Sequence, residues 1–513
     1  MVALGILLSR LVGLVRSRVF AHYFGTSDAA DAFNAAFRIP NFLQNLFGEG
    51  VLSASFIPVY AGLHARGDEA EARRVAGAVA ALLALVTSLL VLAGVLLTPW
   101  LIAIIAPGFE GEKREATIRL VRILFPGAGL LVLSAWCLGV LNSHRRFFLS
   151  YAAPVLWNLA IIASLIAFGR SRSQYPLAEI AAWGSVVGSL LQLLVQLPTV
   201  ARLLHGIRPR LVRGSVQVGA VLHNFGPVFV GRGVVQISAY VDTVLASLLP
   251  TGAVAGLSYA QVLYTLPVSL FGMSVSAAEL PAMASAVGSE DERAAYLRQR
   301  LGTGLRQIAF FVVPSAVAFL ALGDVVAGAL YQSGAFTRDM TVYVWGILAG
   351  SAVGLLASTM GRLYASTYYA LQDTRTPLRF AVLRVALTIA LGYLFALPLP
   401  RVLGLDQRWG AAGLTASAGI AGWIEFLLLR RALNARIGET GLPLGLAARL
   451  WGAACLGAAA AWALRAAVPI HHPVLAAIVL LTVYGVVYFS VTGRLGVAEA
   501  GAVLRRLQFP RLP

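Results

Sequence analysis

The sequence predicts an all-α polytopic membrane protein of fourteen transmembrane helices, and three observations carry that expectation. Of 513 residues, 59% are hydrophobic and 12% charged, with a mean hydropathy of +0.80, whereas a soluble domain carries roughly a quarter charged residues. Fourteen runs reach the length of about 20 apolar residues that a span needs, and the loops between them leave no room for a sizeable soluble domain. Basic residues are dense in every second loop. Together these exclude a soluble enzyme, a disordered chain and a disulfide scaffold.

The first run, near 2–23, contains Arg10 and Arg16, so it is not a cleavable leader, whose core is uncharged. The second, near 28–62, has Pro40 at its middle, which predicts a bend there. The others lie near 75–106, 118–142, 147–169, 177–203, 217–249, 253–286, 303–323, 340–371, 377–399, 409–433, 443–468 and 473–493. Spans two, seven, eight and ten exceed the usual length, which predicts tilt, kinks or protrusion from the bilayer.

Forty basic residues against 22 acidic give a net charge of +18. Loops after even-numbered spans hold most of them, for example Arg66, Arg73 and Arg74, or Arg430, Arg431 and Arg436. The positive-inside rule then places both termini in the cytoplasm and accounts for the excess without nucleic acid. Lys113 is the single lysine, which a GC-rich genome would explain. Cys137 and Cys455 stand alone, without metal or redox spacing.

An internal repeat supports the count. Gly25 to Pro40 matches Gly252 to Pro267, and Leu141 to Arg145 resembles Leu371 to Arg375 at nearly the same offset. Six spans per repeat predict two lobes of like topology, related by a pseudo-two-fold axis along the membrane normal. The expected organisation is 1–206, 207–435, and a third part, 436–513, with spans thirteen and fourteen and a short tail.

Ionisable groups in hydrocarbon are costly and normally face a cavity or a partner. In span two, Asp31, Arg38, Asn45 and Glu49 fall on one stripe of a helix. Arg10 and Arg16 lie about 9 Å apart along span one; span seven adds Arg232, Gln236 and Asp242; spans eleven and twelve add Arg384 and Glu425. The expectation is an aqueous, net cationic interior in which Arg10 is the leading cation. Arg16, Arg18, Asp28 and Glu279 are also close enough to span ends to snorkel or cap. Asp31 with Arg38 reads equally as a structural ion pair, Glu425 as a tie between two helices, and the histidines show no ligand constellation, so no metal is expected.

Ser9-Arg10-Leu11-Val12-Gly13-Leu14-Val15-Arg16, then Phe24-Gly25, Asp31-Ala32-Phe33, Arg38-Ile39-Pro40-Asn41, Glu49-Gly50 and Ser55-Phe56-Ile57-Pro58, resemble the start of the MurJ (MviN) lipid II flippases. Gln372-Asp373-Thr374-Arg375-Thr376-Pro377 resembles that family's loop between spans ten and eleven. The resemblance covers essentially the whole chain. It implies the multidrug/oligosaccharidyl-lipid/polysaccharide exporter fold: two six-helix lobes around a cavity, then two helices forming a groove for a lipid tail. It also implies a multi-pass protein of the bacterial inner membrane that serves peptidoglycan synthesis and cell shape by flipping lipid II, with no cofactor and no bond made or broken. The family's substrate-binding positions match Arg10, Arg16, Asp31, Asn41 and Glu49; Arg38 and Arg232 join them as candidates on their charge. Two further cavity arginines of the family are replaced by Gln44 and Val262. Asp242 is the candidate for a coupling-ion site. A glycosyltransferase or polymerase on the same lipids would need an acidic metal cluster or a large catalytic loop, which the loops lack. A drug/cation antiporter and a flippase for a different polyprenyl-linked glycan are the transport alternatives.

Overall fold

The computed structural model describes the backbone of residues 2–206 and 215–501; the side chains of residues 2–4, 6, 49 and 226–239 lie outside the described residues. No strand appears among the described residues. The chain forms two compact units, Met1–Ala255 with Ser333–Phe336, and Gly256–Gln332 with Thr337–Pro513. Twelve helical segments among the described residues are long and apolar enough to cross a membrane. The helices Val2–Phe24 and Val216–Ser247, of 23 and 32 residues, also have the length to do so.

The first unit contains α1 (Val2–Phe24), α2 (Asp28–Phe47), α3 (Glu49–Ala65), α4 (Glu69–Ile105), α5 (Gly111–Ser143), α6 (Phe147–Phe168), α7 (Gln174–Leu203) and α8 (Val216–Ser247). Span two is thus two helices. The break falls at Gly48 rather than at Pro40, which α2 accommodates within its length. A Cβ at Gly48 would sit 2.1 Å from the Gln44 carbonyl oxygen, so only glycine permits this joint. Leu43, Phe47, Leu52, Phe56, Tyr60, Val75, Trp136 and Val140 form a buried apolar cluster beside it. Burying each such side chain contributes about 1.5–3 kcal/mol relative to exposure in water.

In chain order α9 (Ala253–Pro267) follows, then α10 (Ser274–Ala284), α11 (Glu290–Ala321), α12 (Gly323–Tyr331), α13 (Arg338–Val353), α14 (Leu355–Ala370), α15 (Arg375–Ala396), α16 (Pro398–Val402), α17 (Gly410–Ile437), α18 (Leu444–Ala467) and α19 (Pro473–Arg494). A π-helical turn, Val268–Met273, separates α9 from α10 directly after Pro267. The wide turn absorbs the hydrogen bond that proline cannot donate. Span ten divides at Gly354, whose added Cβ would lie 2.4 Å from the Gly419 Cα of α17. Three of the four overlong spans therefore shorten by breaking, while α8 stays continuous.

The paired loops show the repeat in backbone form. Gly25 and Gly252 both take positive φ, as do Arg145 and Gln372, and both pairs are 227 residues apart (252 less 25; 372 less 145). Arg145 N–H bonds to Asn142 O and Arg146 N–H to Leu141 O; Gln372 N–H bonds to Tyr369 O and Asp373 N–H to Tyr368 O. The same double bond back over three and five residues closes α5 and α14. The register thus sets Arg145 against Gln372, three residues from the sequence match of Leu141 with Leu371.

Asp373, after the second of these turns, starts α15. Its Oδ1 accepts the N–H groups of Arg375 and Thr376 at 3.0 Å, and its Oδ2 accepts the Thr376 hydroxyl and the Arg436 guanidinium at 2.7 Å. The Thr376 N–H and hydroxyl, with Arg436, hold the Asp373 carboxyl well below the usual carboxylate range. Because the folded value is depressed, this stabilisation is complete above the unfolded value of about 3.9 and drains away as pH falls toward the folded value. The gap in melting temperature between wild type and Asp373→Asn should be constant near neutral pH and narrow below about pH 4. Melting in detergent across that range checks it.

Helices α18 and α19 pack on α11 and α12. Pro314 in α11 has no N–H for the Phe310 carbonyl, and the buried Tyr488 hydroxyl of α19 donates to that oxygen at 2.6 Å. Tyr484 donates to Pro314 O at 2.6 Å. Tyr488→Phe keeps the packing and orphans the carbonyl, so it should cost about 1–3 kcal/mol of stability, read as an earlier thermal unfolding transition.

Candidate functional site

The predicted polar residues of the first unit do not form one continuous lining; they fall into three groups. In the first, Arg16 on α1 lies 4.8 Å from the ring centre of Trp157 on α6 and 5.9 Å from that of Phe37 on α2. Trp157 is held by its Nε1–H, which donates to Ser185 Oγ of α7 at 3.1 Å. The guanidinium is therefore presented on aromatic faces, which attract a cation through the ring quadrupole. Arg10, six residues earlier, is exposed and points about 120° around the helix from Arg16.

The second group is centred on α2 and α8. Arg38 and Asp242, both half-buried, interact electrostatically. The Tyr240 hydroxyl donates to the Arg38 carbonyl at 2.8 Å, and the Tyr240 ring meets Phe42 edge-on at 5.5 Å. Asn41 is half-buried beside them in sequence. The structure thus brings together a predicted binding arginine and the predicted ion-site carboxylate. The side chains of Glu49 and Arg232 lie outside the described residues.

The third group was the least visible beforehand. Asp31 is 1% exposed and pairs with Lys113 of α5, Nζ to Oδ2 2.7 Å, while the same ammonium reaches Asp28 Oδ1 at 2.9 Å. Arg38 is not its partner. Asp31 also accepts the N–H of Gly252 on Oδ2 and of Ala255 on Oδ1, each at 2.8 Å. A single carboxylate thereby caps the first turn of α9, where unpaired N–H groups and the helix dipole favour a negative charge. Thr251 donates to Asp28 Oδ1 at 2.8 Å, and Lys113 lies 4.4 Å from the Phe109 ring centre. Three turns, before α2, α5 and α9, converge on this cluster. Sequence reasoning missed Lys113. The signal was its being the one lysine beside 39 arginines: a compact ammonium can reach two carboxylates where a planar fork is less suited.

Along the α2 stripe accessibility rises from buried Asp31 through half-buried Arg38 to exposed Asn45. The Asp31 end is buried and ion-paired, and the Asn45 end is exposed. The remaining predicted charges are paired elsewhere: Glu279 with Arg300 at 2.8 Å, and Arg384 of α15 with Glu425 of α17 at 3.2 Å. Gln44 and Val262 are half-buried. Among the described residues no group of His, Cys, Asp and Glu has metal-holding geometry.

A family model described as lipid II flippase MurJ matches residues 20–488. A probable lipid II flippase MurJ from Rhizobium meliloti (strain 1021) is 32% identical over 98% of this chain and 94% of its own length. The lipid II flippase MurJ of Burkholderia cenocepacia is 31% identical over 84% of this chain and 82% of its own. Among solved structures, a lipid II flippase MurJ in an inward closed conformation superposes with a TM-score of 0.79 over 96% of this chain and 98% of that one, at 23% identity.

The Asp31–Lys113 pair makes a direct prediction. Lys113→Met leaves a buried carboxylate without its cation and should destabilise the protein by about 3–5 kcal/mol. Adding Asp31→Asn should recover part of that loss, giving a coupling of more than about 1 kcal/mol in a double-mutant cycle of unfolding free energies.

Proposed function

Because this chain belongs to the MurJ family of lipid II flippases, we propose that it carries lipid II, a polyprenyl-pyrophosphate-linked peptidoglycan precursor, from the inner to the outer leaflet of the bacterial inner membrane. The observation that carries this reading is the pair of arginines, Arg16 and Arg38, held within apolar helices by aromatic rings and by Asp242. Ionisable groups are kept within apolar helices where they face a cavity or a partner, and an anionic headgroup is a partner of the right charge. Arginine meets phosphate oxygens through charge-assisted, often bidentate bonds, so a pyrophosphate headgroup could pass a polar interior while its polyprenyl tail stays in lipid.

Substrate contacts in this reading are Arg10, Arg16, Arg38, Asn41, Glu49 and Arg232, with Asp242 as the position for a coupling ion. Asp31 contributes by holding the sealed end of the stripe closed through Lys113 and the α9 turn. Transport by alternating access then requires that seal to open. The lobes are 1–206 and 207–435, with 436–513 supplying the last two helices, and both termini are cytoplasmic, as the arginine-rich loops require. Moving one charge across 100 mV is worth about 2.3 kcal/mol, so membrane potential can bias the cycle. No covalent step is involved. A second reading, a different polyprenyl-linked glycan, is supported by Gln44 and Val262, which stand where the family presents arginines.

Expression of the chain in a bacterium depleted of its own lipid II flippase should restore growth. Arg10→Ala and Arg38→Ala should each lower transport by at least about tenfold, the loss of one 1.4 kcal/mol contact, at wild-type membrane abundance. Failure of the wild-type chain to restore growth while it flips another polyprenyl-linked glycan in vesicles would favour the second reading.

A further inference from the structure

A small cavity of about 90 Å3 lies within the second unit, between α12, the start of α13, and the turn joining α18 to α19. Asp324, 3% exposed, lies in its wall. Its Oδ2 takes the Nη2 groups of both Arg338 and Arg465, each at 2.9 Å. Each guanidinium is anchored to the carboxylate through that one nitrogen, and the rest of each fork makes no other hydrogen bond among the described residues. Two arginines against one aspartate leave a net positive charge. A freely snorkelling arginine would be disordered at the membrane surface, whereas these two are fixed on one buried oxygen and turned toward the same space.

Gln332 and His471 complete the polar side of the cavity, and Val325, Ile470 and Leu480 the apolar side. By the measure in which one water needs about 10–15 Å3, the cavity has room for several waters and so for one tetrahedral phosphate. Gly328 keeps the space open: a Cβ there would meet only Gln332 Oε1 at 3.2 Å, Thr341 Cγ2 at 3.5 Å and Pro473 Cβ at 3.9 Å, and a longer side chain would grow into the cavity. Val468, which lines the cavity just after α18, is 46% exposed, and Trp462 of α18 and Leu475 of α19 are 51% and 54% exposed. Trp462 donates its Nε1–H to Ala321 O at 2.9 Å, and its ring lies 5.9 Å from the Arg465 guanidinium. An exposed tryptophan level with an arginine at a helix end marks the interface where lipid phosphates lie.

We infer that this cavity binds the phosphate of a bilayer phospholipid, with Arg338 and Arg465 on the phosphate oxygens, the acyl chains lying along the exposed apolar face of α18 and α19, and Asp324 as the positioning residue for both arginines. The site is built wholly from residues of the second unit.

The test uses purified full-length protein in detergent, titrated with phosphatidylglycerol and observed by native mass spectrometry, with diacylglycerol and inorganic phosphate as comparison probes. Wild type should retain one phosphatidylglycerol selectively. Arg338→Gln, at a side chain 54% exposed, and Gly328→Leu, which fills the cavity and keeps both charges, should each weaken that retention by about tenfold or more. An unchanged far-ultraviolet spectrum and melting transition confirm that each variant is folded, and Arg338→Gln stands as the test if Gly328→Leu does not fold. Equal retention of diacylglycerol, or wild-type retention by Arg338→Gln, overturns the site. Displacement of the lipid by millimolar inorganic phosphate makes it a free-anion site and overturns the lipid assignment.

Discussion

A main-chain carbonyl or amide that loses its partner inside hydrocarbon costs several kcal/mol, because no water is there to replace it. That constraint governs where this all-helical chain breaks. At Pro267 the ladder widens into the π turn Val268–Met273. At Pro314 the helix runs on, and the freed Phe310 carbonyl is satisfied by Tyr488 from a neighbouring helix. At Gly48 and Gly354 the chain restarts where a side chain would collide with main chain.

Charge obeys the same economy with different means. Asp31 is acceptable while nearly fully buried because one ammonium and two amide groups converge on its two oxygens. Arg16 is acceptable because aromatic faces supply electron density, and among the described residues no carboxylate is paired with it. The two devices do opposite work: a neutralised group seals, and an unneutralised one attracts. They stand at different points along α1 and α2, Asp31 buried in ion pairs and Arg16 against aromatic rings.

Much of this was legible in the sequence because hydropathy and helical period are one-dimensional signals. The spans emerge from apolar run length alone, and their excess length at two, eight and ten announced the breaks at Gly48, Val268–Met273 and Gly354. The repeat was visible too, although its register across the Arg145 and Gln372 turns required the positive φ values, since residue identity there is degenerate while backbone conformation is not. Pro40 is not where span two divides: α2 runs through it, and the joint falls at Gly48, where a side chain would collide with main chain. Lys113 was hidden because an ion pair spanning 82 residues leaves no periodic trace. The candidate arginines were identified by their cost in lipid, but which aromatic ring or carboxylate receives each one is a property of three-dimensional packing.

The solitary lysine shows how a composition bias and a structural need can be separated. Arginine serves everywhere else in this chain, at loop ends and in pairs such as Arg306 with Glu499, where a two-pronged fork fits one carboxylate at 2.8 and 3.4 Å. At position 113 the geometry differs: two carboxylates of one helix, Asp28 and Asp31, must be met by one donor standing above an aromatic ring. A three-fold ammonium can send separate hydrogens to both oxygens, whereas a guanidinium binds best with both in its own plane. The exception to the arginine bias therefore coincides with the place where planarity is a handicap, and the same place ties the starts of α2, α5 and α9 together. Separating α2 from the turn before α9 would break a buried ion pair and uncover the first amides of α9 together.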